Sequence, residues 1–554
     1  MSNNSNSAIR VEMLSLKRIF KFLDEQIFAV PQIQREFVWN GKRAAKLFDS
    51  IYRGIPVGTV LIWDTDNSRR NMLRENWTIL PPYDSTANKN LWYLIDGQQR
   101  VSVIHRCRQG DRPPESKVDF GRICFALSPY EDEEETFAYR SPVDRRYVSV
   151  TDLLKPNWNR KFRQLPSGKF SKLADCRERL LGYKIPFVFN STNDVDRVRE
   201  TFIRINSGGM RVKSADEMFA RASLFKLRDL AKAARQNLKG FEDIDYSTIL
   251  LGFEFASGGK DPGKTAIGSA IKRWDKKLRG KKIKLQDFNK FWRDYEEALK
   301  KAVNFLRENC KVQNTRFLPS ESMLATLSFF YFRHGLQQTT RQRHELLKWF
   351  WATGICGRYS GLGYYKNMPE DLKFFERLAK DERSKFKFEQ RVLKSDISKA
   401  VYTSTSATTG AFFCLLASLE PRTIKNGEKV PLGDLVVGWS DKKNDHHIFP
   451  KSLLRSKGFL HKEYNSVCNI CFLTAEDNLF ILKRKPSDYM RESKKESNPC
   501  FGTTMKSHLI PHDKESAIWT PNISTGYKLF RRQRLNMICR AFETKAGMKL
   551  FRED

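Results

Sequence analysis

Near residue 214 the spacing of apolar residues changes character, and that change divides the chain. Beyond it the period is helical. Ser214 and Glu217 read as a capping box, Leu224, Leu227, Ala231, Ala234 and Leu238 fall on one face, and Gly240 stops the run. Phe288, Phe291, Trp292, Tyr295, Leu299, Val303 and Leu306 form a second stripe. Before residue 214 short strands alternate with helices. Leu91-Trp92-Tyr93-Leu94-Ile95 is an aromatic and branched run closed by Asp96-Gly97, which predicts a buried strand ending in a turn. Ile185-Pro186-Phe187-Val188-Phe189 predicts another. The acidic run 131–135 is expected as a solvated loop. The expectation is an α+β multidomain protein: an α/β domain over 11–213, a helical region over 214–390, and a third domain over 391–554.

Charge narrows the class of partner. Of 554 residues, 99 are Lys or Arg and 64 Asp or Glu, a formal net charge of +35 on a chain apolar enough (40%) for sizeable cores. A phosphate polymer is the natural partner, bound by counterion release without sequence preference. No run of eighteen apolar residues exists, so no membrane span is expected. The polar first eight residues are unlike a signal peptide and are expected to fray. Ten scattered cysteines fit reduced thiols and a cytoplasmic location. Cys468 and Cys471 form a lone C-x-x-C with no second pair nearby, and the residues between them read as strand, so structural zinc is set aside.

The string 258–265 formally matches Gly-x-x-x-x-Gly-Lys-Thr. A phosphate-cradling loop must follow a buried strand and open a helix. Phe253-Glu254-Phe255-Ala256 is at best a weak strand, and Pro262 removes a donor. A surface loop is the better reading.

Asp445-His446-His447-Ile448-Phe449-Pro450, followed by Asn469 and Asn478, carries more chemistry. A His, a Pro three residues later and two Asn are the sparse requirements of a site in which imidazole activates water beside a divalent cation. The segment resembles HNH (ββα-metal) nucleases, most closely the HNH domain of GmrSD-type modification-dependent restriction enzymes. The resemblance implies that 469–473 is the second strand and that Asn478 opens the helix. It makes His447 the general base and Asn469, grouped with it as catalytic, the brace of the His loop. It makes Asn478 a metal ligand, with the first ligand open between His446 and Asp445, for Mg2+ or Mn2+. Lys451, Lys483, Arg484 and Lys485 would meet DNA phosphates, and 528–540 adds a basic stretch.

Three further segments belong together. Asp96-Gly97-Gln98-Gln99-Arg100 follows the strongest strand. Pro31-Gln32-Ile33-Gln34-Arg35-Glu36-Phe37-Val38-Trp39 places a Gln-Arg pair beside aromatics. Arg204 and Asn206 precede Gly208-Gly209. Glycine permits a tight turn, and the amides and guanidinium suit phosphate oxygens. Together they resemble the ParB-like domain of GmrS-type restriction subunits, from Leu16 to about Asp216. The resemblance implies binding and hydrolysis of a nucleoside triphosphate (GTP or ATP) by Gln34, Arg35, Asp96, Gly97, Gln98, Gln99, Arg100, Arg204 and Asn206.

The joint reading is an NTP-regulated, metal-dependent DNA endonuclease restricting phage or foreign DNA. Its partner would be duplex DNA carrying hydroxymethylated or glucosylated bases or phosphorothioate, with no membrane; self-association is left open. The competing readings are a ParB-like nucleotide-switched DNA binder with a vestigial nuclease, and an RNA-directed nuclease toxin. Retention of both His447 and Asn478 disfavours the first of these.

Overall fold

The computed structural model describes residues 8–553 except 32–33, 35, 66–79, 81–90, 114–115, 117, 129–135, 141–145, 208–214, 216–217, 220–221, 223–224, 261, 263–267, 336, 390, 403–405 and 433–445. The side chains of 8, 196, 199, 203, 206 and 207 are also outside it. Arg35, Asn206, Asp445, the 214/217 capping box, the acidic run and half of 258–265 therefore lie outside the described residues and side chains. The fold is mixed α+β. It divides into two compact units, Met1–Leu227 and Arg228–Asp554. The second unit contains most of the region read as helical, from residue 228 on, and all of the region read as a separate third domain. No helix among the described residues is long and apolar enough to cross a membrane.

The first unit is built on a five-stranded mixed sheet of order β1-β8-β3-β4-β2. Its elements are β1 (Ala8–Ser15), α1 (Leu16–Asp24), β2 (Phe28–Ala29), α2 (Gly41–Tyr52), β3 (Val60–Thr65), β4 (Leu91–Asp96) and α3 (Gln98–Gln109). After them come β5 (Ile123–Ala126), β6 (Phe137–Tyr139), β7 (Tyr147–Ser149), α4 (Val150–Leu154), α5 (Trp158–Phe162), α6 (Ser167–Gly182), β8 (Lys184–Ser191) and α7 (Val195–Ser207). Alternation along the strands sorts side chains between two cores. Ile62, Leu94, Phe187 and Phe189 enter the main core beneath α1, α2 and α3. Trp63, Leu91, Tyr93 and Ile95 point the other way, against Val198 and Phe202 of α7. Both predicted strands are present, as β4 and β8. A small antiparallel sheet, β6-β5-β7, completes the unit.

The second unit is helical. It comprises α8 (Leu227–Gln236), α9 (Tyr246–Ala256), α10 (Ser269–Arg279), α11 (Leu285–Cys310), α12 (Ser322–His334), α13 (Thr340–Ile355) and α14 (Gly363–Lys380). Further along are α15 (Ala407–Ala417), α16 (Lys451–Ser456), α17 (His461–Tyr464), α18 (Ala475–Ile481), α19 (Pro486–Glu492) and α20 (Ile523–Ala546). The stripe read from Phe288 to Leu306 is the buried face of α11. Every residue of α12 from Met323 to Tyr331 is buried, as a helix packed on by α9, α11 and α14 must be. The helical region joins the rest through α13, which packs on α15 and α20.

Two expectations are corrected. Residues 253–256 are not strand but the end of α9, whose N-cap Asp245 accepts the Ser247 N–H at 2.9 Å. The last eight residues of α9 are all buried, so the segment shows no helical period to read. The expected strand over 469–473 is a 3-10 turn (Val467–Asn469) and a single bridge, His447 to Ile470. Turn geometry wins there because the Asn469 side chain takes over backbone groups that a ladder would otherwise pair.

Candidate functional site

In the first unit β4 ends at Asp96 and the chain turns at Gly97 with φ 89°. A Cβ there would lie 2.9 Å from Val60 Cγ2 and 3.2 Å from Val60 Cα, so only glycine fits. Gly97 also supplies no capping side chain. The first N–H groups of α3 are thus left uncapped by a side chain at the positive end of the helix dipole.

The neighbouring side chains hold the turn in place. Gln99 Oε1 accepts the Val38 N–H at 2.9 Å and its Nε2 donates to Glu36 O at 3.0 Å. Gln34 Nε2 donates to the carbonyls of Leu94, at 2.9 Å, and Ile95. Arg100 donates to Val57 O (2.6 Å), Thr59 O (2.7 Å) and Asp96 Oδ2 (3.0 Å). Gly58 makes that approach possible, since a Cβ there would be 2.4 Å from Arg100 Nη1. The sequence cast Gln99 and Arg100 as phosphate donors; their side-chain groups tie the loops 34–38 and 57–59 to the start of α3.

An open cavity of about 490 Å3 lies over this turn, lined by Gln34, Asp96, Gly97, Gln98, Gln99, Arg100 and Ile205. Its opposite wall is α2, through Arg43, Lys46 and Ser50, with Trp39 beside them. Asn40 caps α2 by accepting the Arg43 N–H at 2.9 Å, and the Arg43 guanidinium sits 4.8 Å from the Trp39 ring centroid. These α2 residues were missed in the sequence. Their signal was the Asn cap followed by cationic and hydroxyl residues three and seven apart on one face. Arg204 is not among the lining residues: its side chain is 77% exposed and pairs with Glu200 at 2.9 Å.

In the second unit residues 446–448 run antiparallel to 469–471, with Ile448 N–H donating to Asn469 O and Cys471 N–H to His446 O, both at 2.9 Å. Asn469 is wholly buried and braces the His loop. Its Oδ1 accepts the Phe449 N–H (2.8 Å), and its Nδ2 donates to Phe449 O (3.1 Å) and Tyr464 O (2.9 Å). Tyr489 donates to Ile448 O at 2.6 Å.

His447 Nε2 meets Asn465 Oδ1 at 2.8 Å, and Asn465 Nδ2 meets His461 Nε2 at 2.9 Å. An amide oxygen only accepts, so this contact places the proton of neutral His447 on Nε2 and makes Nδ1 its basic nitrogen. Neither Asn465 nor His461 was singled out in the sequence; the two are four apart, spanning one short helix, but nothing local ties that pair to His447, 18 residues before Asn465.

His446 is buried, and burial, then the charge of His447, pushes its pKa down to about 4; it is a neutral imidazole at neutral pH. Asn478 lies on α18, whose first turn is fixed by reciprocal bonds between Thr474 and buried Asp477. Asp477 also accepts the Lys425 N–H at 3.0 Å. The Asn478 Nδ2 is buried and meets no acceptor among the described residues. No cluster of three or more His, Cys, Asp or Glu capable of holding a metal occurs among them either. His446 and Asn478 each offer one donor atom to a cation, an imidazole nitrogen and an amide oxygen; of the two, the oxygen is the kind of donor that Mg2+ and Mn2+ take.

Of the expected phosphate contacts, Lys451 opens α16, and Lys483 and Lys485 are exposed. Arg484 is paired with Glu492 and stacked on Phe480. Within 528–540, Arg534 is wholly buried, donating to the carbonyls of Cys468 (2.9 Å), Ile470 (2.7 Å), His508 (2.8 Å) and Leu509 (3.2 Å). Cys468 and Cys471 are buried thiols, Cys471 pushed up to about 12 by burial.

The cavity at Gly97 and all of the sheet around it except β1 fall in a segment similar to a known family. Residues 16–223 match the family model of the GmrSD restriction endonuclease N-terminal domain. That match points to a function of the restriction-endonuclease type, with DNA as the substrate class. The chain is also 23% identical over 512 residues to the uncharacterized protein MJ0686 of Methanocaldococcus jannaschii, covering 84% of each chain. That similarity runs well beyond the GmrSD-like segment.

Proposed function

We propose that the chain is a divalent-metal-dependent DNA endonuclease of the HNH type, regulated by a nucleoside triphosphate and sensitive to DNA modification, acting in restriction. The observation that carries the reading is the fixed imidazole of His447, held through Nε2 by Asn465 on a loop braced by Asn469. Nδ1 of His447 takes a proton from water. The water oxygen forms a new bond to phosphorus as one P–O ester bond of the backbone breaks, and the departing oxygen takes up a proton from solvent to leave as a hydroxyl. His446 and Asn478 would hold the cation, with Asp445 an alternative first ligand; when bound, the ion stabilises charge on the phosphoryl oxygens. Lys451, Lys483 and Lys485 would steer the backbone. In the first unit the uncapped start of α3, with Arg43 and Lys46 opposite, suits a polyphosphate (GTP or ATP), and Trp39 offers a flat apolar surface.

The test is plasmid nicking with Mg2+ or Mn2+, with and without NTP. His447→Ala should cut at least about 100-fold more slowly, the lower end for loss of a positioned base. Asn465→Leu should lower the rate and shift its pH profile while leaving DNA binding intact. Wild-type rates in His447→Ala would remove His447 from the chemistry, and an absence of metal-dependent nicking by the wild-type chain would favour a nucleotide-switched DNA binder.

A further inference from the structure

The densest positive charge among these elements lies in neither candidate site. Over 269–284, α10 and the turn after it, eight residues are Lys or Arg and one is Asp, a net +7 on a chain of +35. The single Asp, Asp275, is already paired with Arg279 at 2.9 Å. The helix buries Ala270 and Ile271 and half-buries Trp274, which leaves Lys272, Lys276 and Lys277 exposed. Beside α10 is a concavity of about 370 Å3 lined by Arg273, Lys277 and Arg333, with Trp274 and Phe291 as its apolar surface.

This basic face is held rigidly. Glu254 of α9 is wholly buried, and its carboxylate accepts the Ala270 N–H (2.8 Å), the Ser269 hydroxyl and Arg273 Nη2 (3.2 Å). One buried carboxylate therefore anchors the first turn of a helix whose outer surface is nearly all cationic. Side chains that merely keep a protein soluble need no such anchor.

We propose that α10 and the adjoining concavity seat the phosphate backbone of duplex DNA, at a place separate from the candidate nuclease and nucleotide sites. Trp274 decides between duplex and single strand. Its ring packs against Phe288 and Phe291 with centroids 5.4 and 5.0 Å away, and its Nε1 donates to Ser257 Oγ at 3.4 Å. Half-buried and tied to these neighbours, the ring cannot swing out to meet an unstacked base, and the exposed groups around it are cations, so recognition rests on phosphates. Such a seat adds affinity without sequence preference and holds a long substrate on the protein while modification is read elsewhere. This inference rests on DNA being the substrate, not on the HNH chemistry.

The test uses the full chain with EDTA, so that cleavage plays no part, and a labelled duplex three helical turns long. In the triple variant Lys272→Gln, Lys276→Gln, Lys277→Gln, the slope of log affinity against log salt should fall by about 3, since each lost phosphate contact removes about 0.9. Affinity at moderate salt should drop at least about tenfold. A control, Lys239→Gln, Lys385→Gln, Lys387→Gln, removes the same charge elsewhere in the unit. Equal losses in both variants would overturn the proposal in favour of net charge alone. An unchanged slope in the α10 variant would also overturn it, as would a loss confined to single-stranded DNA or RNA. Unchanged thermal unfolding guards against a folding artefact. A nicking defect in His447→Ala with normal duplex binding leaves the two readings separable.

Discussion

The two units position their candidate sites by opposite means. In the first, the motif side chains Gln34, Gln99 and Arg100 bond to backbone and to Asp96 around an open cavity, and the groups facing them come from α2. In the second, the motif residues His446, His447 and Asn469 are buried, as Gln34 and Gln99 are in the first, but the groups that fix their loop are side chains, Asn465, Tyr489 and Arg534, from elsewhere in the chain. The contrast teaches that a recognisable motif does not say which of its letters meets the ligand. A motif can equally be the frame, with the contact surface written in less conspicuous residues.

The contrast breaks most sharply at Arg534. Arg534→Met removes a cation from four backbone carbonyls, each of which costs about 1–3 kcal/mol if left unsatisfied. Relief of the buried charge offsets part of this. The expected net loss is about 3 kcal/mol, confined to the second unit. Hydrogen exchange on peptides from each unit checks it; equal loss of protection in both would mean the units do not unfold separately.

Arg43 and Arg100 sharpen the difference between frame and contact. Arg43→Ala should weaken nucleotide binding about tenfold, one charge-assisted contact, with little change in stability. Arg100→Ala should lower the unfolding temperature of the first unit as well, because three internal bonds are lost. Calorimetric titration of each variant, paired with its melting curve, separates the two roles. The same melting temperature for both variants would put Arg100 among the ligand contacts instead.

Acid should expose a smaller asymmetry. Burial lowers His105 in the first unit, and His446 and His508 in the second, to about 4 from an ordinary 6.5. Between about pH 6.5 and 4 the unfolded chain binds protons that the folded chain refuses. The stability these groups contribute is thus full above pH 6.5 and lost as pH falls through that window. Denaturant melts at pH 7 and 5 should show the larger loss in the second unit, with two such histidines against one.

How far the sequence reached follows from how local each cause is. β4, β8 and the buried face of α11 were legible because a short apolar run or a 3.6 period sets them within one stretch of chain. The turn at Gly97 was legible for the same reason. Residues 253–256 were misread because a helix buried all round has no period. Asn465 and Arg534 were not legible because the groups they hold lie elsewhere in the chain, 18 and 66 residues away for His447 and Cys468; the α2 wall carried a cap and a face, but nothing local tied it to the turn at Gly97.

Arg534 carries a consequence for biosynthesis. It follows Cys468, whose carbonyl it holds, by 66 residues. During synthesis the His447 loop therefore leaves the ribosome well before the guanidinium that fixes the neighbouring 468–470 segment exists. Until α20 docks, the carbonyls of Cys468 and Ile470 lack this donor, and the turn and bridge opposite His447 are unset. If the His447 loop is the cutting centre proposed above, the nascent chain stays inert until its later helix folds back, a built-in delay between making the protein and arming it.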